Sequence, residues 1–214
     1  AEPSMIPRIH ALWNSLPSQL ARENRKFLYR VVKEGARARE YEDALLWLEE
    51  AGMIQRCFNV TKPGMPLSAY RDVSAFKVYA CDCGLLRRLA KLSAEIVLGG
   101  NANYTEFRGA LAENAILQSI RPQCDDMPCY WSSDSTAEVD FLLQFPTEIV
   151  PVEVKSENRI SGKSLAVYAK KFSPRKRIRY SMNNLQENCG LLSCPCPLAD
   201  WTGKLLDKLP VSGS

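Results

Sequence analysis

Two alternating runs separated by two residues constrain this chain more than any other feature. From Ala137 to Phe145, the apolar residues Val139, Phe141, Leu143 and Phe145 fall on one face of an extended chain, and Glu138 and Asp140 on the other. From Glu148 to Lys155, Val150, Val152 and Val154 alternate with Pro151, Glu153 and Lys155. Pro146-Thr147 lies between the runs and predicts a two-residue hairpin turn, which makes them antiparallel neighbours. If the apolar faces share a core, Asp140, Glu153 and Lys155 meet on the opposite, wetter face. Two carboxylates at close range repel each other unless a cation lies between them. Hard oxygen ligands suit Mg²⁺ or Mn²⁺, and a lysine beside a metal-bound water can orient or deprotonate it.

The elements around this pair fit an α/β domain. Thr105 to Ser119 has helical spacing, with Phe107, Leu111, Ala115 and Ile116 on the expected buried side. Lys163 to Phe172 reads as a helix, and Arg177 to Met182 as a final strand. Between Lys170 and Arg179 stand six basic residues (Lys170, Lys171, Arg175, Lys176, Arg177 and Arg179) and no acidic ones. Such a run is either a solvated helix end and loop or a patch that contacts phosphates. The second reading makes Lys170, Lys171, Arg175, Lys176 and Arg177 candidate nucleic-acid contacts.

The first hundred residues have a different pattern. Leu20, Phe27, Leu28, Val31 and Val32 predict a helix over Gln19–Glu34, capped by Ser18 and ended by Gly35. Ala44, Leu45, Trp47 and Leu48 predict a second over Arg39–Ala51, closed by Gly52. Met53–Val60 reads as a strand, Lys62–Pro66 as a turn, Phe76–Tyr79 as a returning strand and Gly84–Ala90 as a further helix. Helix, helix, strand, turn, strand is the order of a winged helix. Its second helix carries Glu40, Glu42, Asp43, Glu49 and Glu50, which would repel phosphates, so a structural or linker role suits it better than groove reading. The Gly- and Asn-rich stretch Gly99–Asn103 is the candidate boundary, which divides the chain into 1–100 and 101–214.

The order Asp140, then Glu153-Val154-Lys155, resembles the PD-(D/E)xK nuclease superfamily. That resemblance implies a mixed sheet flanked by helices for the second part, and the element order of the first part adds a small winged-helix-like α+β domain before it. It also implies that Asp140 and Glu153 hold Mg²⁺ or Mn²⁺, with the Val154 carbonyl as a further ligand, and that Lys155 activates the hydrolytic water. Glu113, in Gly109-Ala-Leu-Ala-Glu-Asn114, matches the acidic residue of the superfamily's first core helix and would join the metal set. Val139 stands where the name motif has proline, a position that varies in the superfamily.

A wider resemblance covers roughly residues 10–200. Gln19-Leu-Ala-Arg-Glu-Asn-Arg-Lys-Phe27, Gly35-Ala-Arg-Ala-Arg-Glu-Tyr41, Phe76-Lys-Val-Tyr79, Tyr130-Trp131, Glu138-Val-Asp-Phe141 and Pro151-Val-Glu-Val-Lys155 are similar to the uncharacterised C-terminal region attached to prokaryotic AAA+ ATPases of predicted function. It implies an N-terminal ATPase module as the natural partner of this chain. The start at Ala1 rather than Met fits a processed chain or a piece of a longer one.

Other classes find less support. Ser161-Gly162-Lys163-Ser164 mimics the end of a phosphate-binding loop, but that pattern needs glycine five positions before Gly162, where Glu157 stands, so ATP binding by this chain is not expected. His10 is the sole histidine, which removes Ser/His/Asp and Cys/His catalysis. The eight cysteines include the pairs Cys81-Asp-Cys83 and Cys194-Pro-Cys196, not the C-x-x-C of common zinc knuckles, and reduced thiols are expected. Trp131 can pack the core or stack on a base, while Trp13, Trp47 and Trp201 read as packing residues. No apolar run approaches a membrane span and no signal peptide is evident, so the cytoplasm is the expected compartment. A net charge of +4 is too small to argue for nucleic acid by itself. The expectation is therefore metal-dependent cleavage of nucleic acid. The alternatives are a non-catalytic module binding DNA or a protein, and an oligomerisation or toxin–antitoxin-like interaction domain.

Overall fold

The structure, a computed structural model, describes residues 2–22, 25–98, 105–133, 137–156 and 162–208. The expected boundary at Gly99–Asn103, Glu23 and Asn24 of the first family-like stretch, and Glu157 and Ser161 of the loop-like sequence lie outside the described residues. The chain divides into two units: Ala1–Cys57 with Ala75–Asn114, and Phe58–Ser74 with Ala115–Ser214.

The first unit opens with helix α1, Ile6–Leu20, which buries Ile9, Leu12, Leu16 and Leu20 along one stripe. The expected helix over Gln19–Glu34 is therefore a misreading. The Gln19 side chain donates to the Leu28 carbonyl (2.9 Å) and accepts from the Leu28 N–H (3.0 Å), which pins an extended backbone where helix continuation was read. Phe27 adds a backbone bond to Phe76 and stacks on its ring at 5.3 Å. Among the described residues of that span, Gln19 and Leu20 end α1 and Tyr29–Val32 forms a short helix, α2. Helix α3, Ala38–Glu50, buries Tyr41, Ala44, Leu45 and Leu48. Trp47 is 37% exposed, against its expected packing role. Gly52, at φ +70°, takes the left-handed turn after α3 that glycine adopts without steric cost.

Strand β1 is Ile54–Asn59 and β2 is Asp72–Ala80, with β1 and β2 hydrogen-bonded neighbours. Helices α4, Cys83–Leu89, and α5, Ala94–Leu98, follow, and Asp82 caps α4 by accepting from the Leu85 N–H at 2.8 Å. Helix α6, Thr105–Ile120, enters the second unit at Ala115. Its buried residues are Ala110, Glu113, Asn114, Ile116, Leu117 and Ile120 rather than the Phe107/Leu111/Ala115 stripe read from periodicity. Two of these are polar because they are partnered: the Asn114 amide bonds both the N–H and the carbonyl of Ala80 (2.9 and 3.0 Å).

The second unit is built on a mixed sheet. Its strands are β3, Cys129–Ser132; β4, Glu138–Gln144; β5, Ile149–Val154; β6, Arg177–Ser181; β7, Gln186–Asn188; and β8, Leu191–Pro195. The order from the end of β1 is β1-β3-β4-β5-β6-β8-β7. Asn59 of β1 lies parallel to Tyr130 of β3, β3-β4-β5 run antiparallel, and β5-β6-β8 run parallel. Arg177–Ser181 is thus not the final strand. β8 follows it through the β7 hairpin, whose two loop residues, Cys189 (φ +47°) and Gly190 (φ +74°), both take the left-handed conformation a tight two-residue hairpin needs.

The predicted hairpin is present. Phe141 pairs with Val152 and Gln144 with Ile149, and the Phe145 N–H donates to the Glu148 carbonyl at 2.9 Å across exposed Pro146-Thr147. Helix α7 spans Lys163–Phe172, the bounds read from the sequence. It covers the sheet through Leu165 and Tyr168, which pack with Trp131, Val139 and Leu142. A last helix, α8, is Thr202–Asp207. Trp201, just before it, is 52% exposed with the Lys204 ammonium 4.6 Å above its ring, so it too is no packing residue. All eight cysteines are free. No helix among the described residues is long and apolar enough to cross a membrane.

Candidate carboxylate–lysine site

Asp140 stands where the regular ladder is interrupted: the β4–β5 pairing runs from Gln144–Ile149 to Phe141–Val152, and the β3–β4 register shifts between Leu142 and Val139. Asp140 Oδ2 accepts from the Val154 N–H at 2.7 Å, which fixes its carboxylate against the partner strand. Lys155, two residues after Glu153, has its Nζ 3.1 Å from Glu153 Oε1. Asp140 and Lys155 thus both contact the same short stretch of β5, Glu153–Val154.

Their setting is not the wet face that alternation suggests. Glu153 is 1% exposed, and β5 is covered on both sides from Val150 to Val154. One cover is α7, the crossover helix between β5 and its parallel partner β6, which packs against β4 and β5. A carboxylate buried this deeply requires counter-charge. Part comes from Lys155, whose side chain is 29% exposed. The rest comes from a residue given no site role in the sequence reading: Arg179, which pairs with Glu153 in the β5–β6 register and donates from Nε to Oε2 at 3.0 Å. The only sequence trace of this role is the alternation Ile178-Arg179-Tyr180, in which the flanking residues are fully buried. Glu153 Oε1 receives no hydrogen bond, although the Lys155 ammonium is within ion-pair distance.

Glu113 belongs to the first unit. Its Oε2 accepts from the Tyr79 hydroxyl at 3.0 Å, and its Oε1 is held by the Arg25 guanidinium, so both oxygens are engaged there. Arg25 itself sits at φ +49°, an unusual conformation for a residue with a side chain.

The basic run splits in two. Lys170, Lys171 and Arg175 are exposed. Lys176 is turned inward, donating to the Leu206 carbonyl at 3.0 Å and lying 3.3 Å from Glu148, while Arg177 donates to the Cys189 carbonyl at 2.6 Å. The Lys171 ammonium lies 5.4 Å from the Phe172 ring and 5.9 Å from that of Trp131, a cation–π position. Trp131 is fully buried, its Nε1 donating to the Thr61 carbonyl at 3.2 Å, so it packs the core rather than stacking on a ligand.

For a divalent cation the donor set is Asp140 and Glu153. Among the described residues, no group of three or more His, Cys, Asp or Glu side chains is placed to share an ion. Mg²⁺ retains several waters and often uses only one or two carboxylates. The Oε1 atom of Glu153, buried and without a hydrogen bond, is an acceptor of the kind such an ion satisfies. The residues present therefore fit a hydrated Mg²⁺ or Mn²⁺ ion. Thiolate chemistry fits less well, since burial pushes the Cys124 and Cys194 thiols up to about 11.

The fold and site thus define a mixed α/β protein with two carboxylates and a lysine at neighbouring sheet strands. Compared with known families, residues 1–96 match a model described as a domain of unknown function (DUF8612), and residues 108–199 match another so described (DUF4143). No curated protein and no solved structure matches the chain.

Proposed function

We propose that the second unit is a nuclease-like domain that hydrolyses phosphodiester bonds of nucleic acid with Mg²⁺ or Mn²⁺, and that it works beside an ATPase module in its natural context. The observation that carries this reading is that Asp140 binds the Val154 N–H while Lys155 pairs with Glu153 next to it. A bound divalent ion would neutralise charge on the phosphate and acidify a water. Asp140 and Glu153 would hold the ion. Lys155, ion-paired and partly exposed, would orient that water through its ammonium N–H donors. The exposed cations Lys170, Lys171 and Arg175 contact the backbone of the nucleic acid.

A specific observation favours a second reading, a non-catalytic module that binds DNA or a protein partner: both oxygens of Glu153 already face cations. One experiment separates the two. Active hydrolysis predicts Mn²⁺-dependent nicking of plasmid DNA that falls by about 10²–10⁴-fold in Lys155→Ala and is likewise lost in Asp140→Ala. Identical behaviour of wild type and both variants removes the catalytic reading. A binding module instead gives salt-sensitive DNA retention that survives those two changes and weakens when Lys170, Lys171 and Arg175 are neutralised.

A further inference from the structure

We infer that Arg179 is a built-in counter-ion that occupies Glu153 in place of a divalent cation and thereby sets the metal affinity of the site. The inference rests on the proposed metal site and concerns its regulation. Glu153 offers two oxygens, and each faces a cation: Lys155 at Oε1 (3.1 Å) and Arg179 at Oε2 (3.0 Å). One cation would neutralise Glu153. With two, the Glu153 carboxylate is fully balanced in charge without a metal.

Arg179 is also held in place structurally. Its position on β6 is in register with Glu153, and its side chain is only 11% exposed. The guanidinium packs against Gly162 at the start of α7, where a Cβ would collide with it. Gly162 lies at φ −88°, which any residue can adopt, so the glycine provides space rather than conformational freedom. An ion approaching Glu153 must share the carboxylate with a guanidinium bound through a charge-assisted hydrogen bond. It also meets the repulsion of that positive charge at short range, where little water screens it.

The test is Mn²⁺ binding to the whole chain, followed by calorimetry and by the paramagnetic resonance of free Mn²⁺. Arg179→Gln removes the cation and keeps a hydrogen-bond donor, and it is expected to tighten Mn²⁺ binding by about tenfold or more. Gly162→Ala displaces the guanidinium without removing it and is expected to shift affinity in the same direction by less. Adding Glu153→Gln to Arg179→Gln abolishes the gain if the ion sits where inferred. Wild type that binds Mn²⁺ no more weakly than a folded Arg179→Gln overturns the counter-ion role and leaves the metal site standing. Absence of binding in both overturns both. Binding by Arg179→Gln alone is the strongest support. Should Arg179→Gln fail to fold, Gly162→Ala decides, since unchanged affinity there overturns the inference.

Discussion

Replacing Glu153 by alanine is expected to cost about 3–5 kcal/mol of stability, one of the largest losses available to a single substitution in the second unit. The side chain is 2% exposed and lies between Lys155 and Arg179. Without it, Lys155 and Arg179 both lose the carboxylate they pair with at a largely dry position, and a buried charge without its partner is penalised more heavily than a complete pair is rewarded. Glu153→Gln keeps the shape and an acceptor oxygen and should lose less. The double change Glu153→Leu with Arg179→Met should recover stability relative to Glu153→Ala, because an apolar pair removes the unmatched guanidinium. Urea unfolding followed by circular dichroism measures all three. A Glu153→Ala protein within about 0.5 kcal/mol of wild type, the range of ordinary surface changes, would show that water reaches this carboxylate freely.

The second large effect is expected at Trp131. It is fully buried and meets the rings of Tyr168 at 5.3 Å and Phe172 at 5.8 Å, both edge-on. Trp131→Ala opens a cavity between the sheet and α7 and is expected to cost about 3–5 kcal/mol. Trp131→Phe keeps most of the packing but leaves the Thr61 carbonyl without its indole donor, a penalty of about 1–3 kcal/mol. Denaturant midpoints from circular dichroism, which does not depend on indole fluorescence, give both values. Equal midpoints for Trp131→Ala and Trp131→Phe would mean that the aromatic cluster does not stabilise the contact between α7 and the sheet.

What the sequence disclosed, and what it hid, follows from the range of the interactions. The β4–β5 hairpin was legible because its information is local: alternation chooses the faces and Pro146-Thr147 sets the register. Helix α7 was legible because Leu165 and Tyr168 share a face at helical spacing. The helix expected over Gln19–Glu34 failed because its periodicity was real but was overruled by Gln19 binding the backbone of Leu28 and by Phe27 binding Phe76 across 49 residues of sequence. Strand β8 was missed because its five residues become a strand through parallel pairing with β6, a long-range partnership that leaves no local mark. At the candidate site, the proximity of Asp140 and Lys155 to the Glu153–Val154 stretch was readable, but the burial of Glu153 was not. The role of Arg179 arises from β6 and the cover by α7 from the crossover to it, neither of which the hairpin pattern encodes.

The turn between β7 and β8 has a practical consequence. Cys189 is exposed there, whereas the other seven cysteines are buried or half-buried, and burial raises the thiols of Cys81, Cys83, Cys124, Cys129, Cys194 and Cys196. The native sequence thus carries its own attachment point for a maleimide dye or spin label, at a hairpin tip next to a three-residue edge strand. A reporter placed there would follow the rim of the sheet through titrations of salt, metal or nucleic acid, with no cysteine-free background to engineer first.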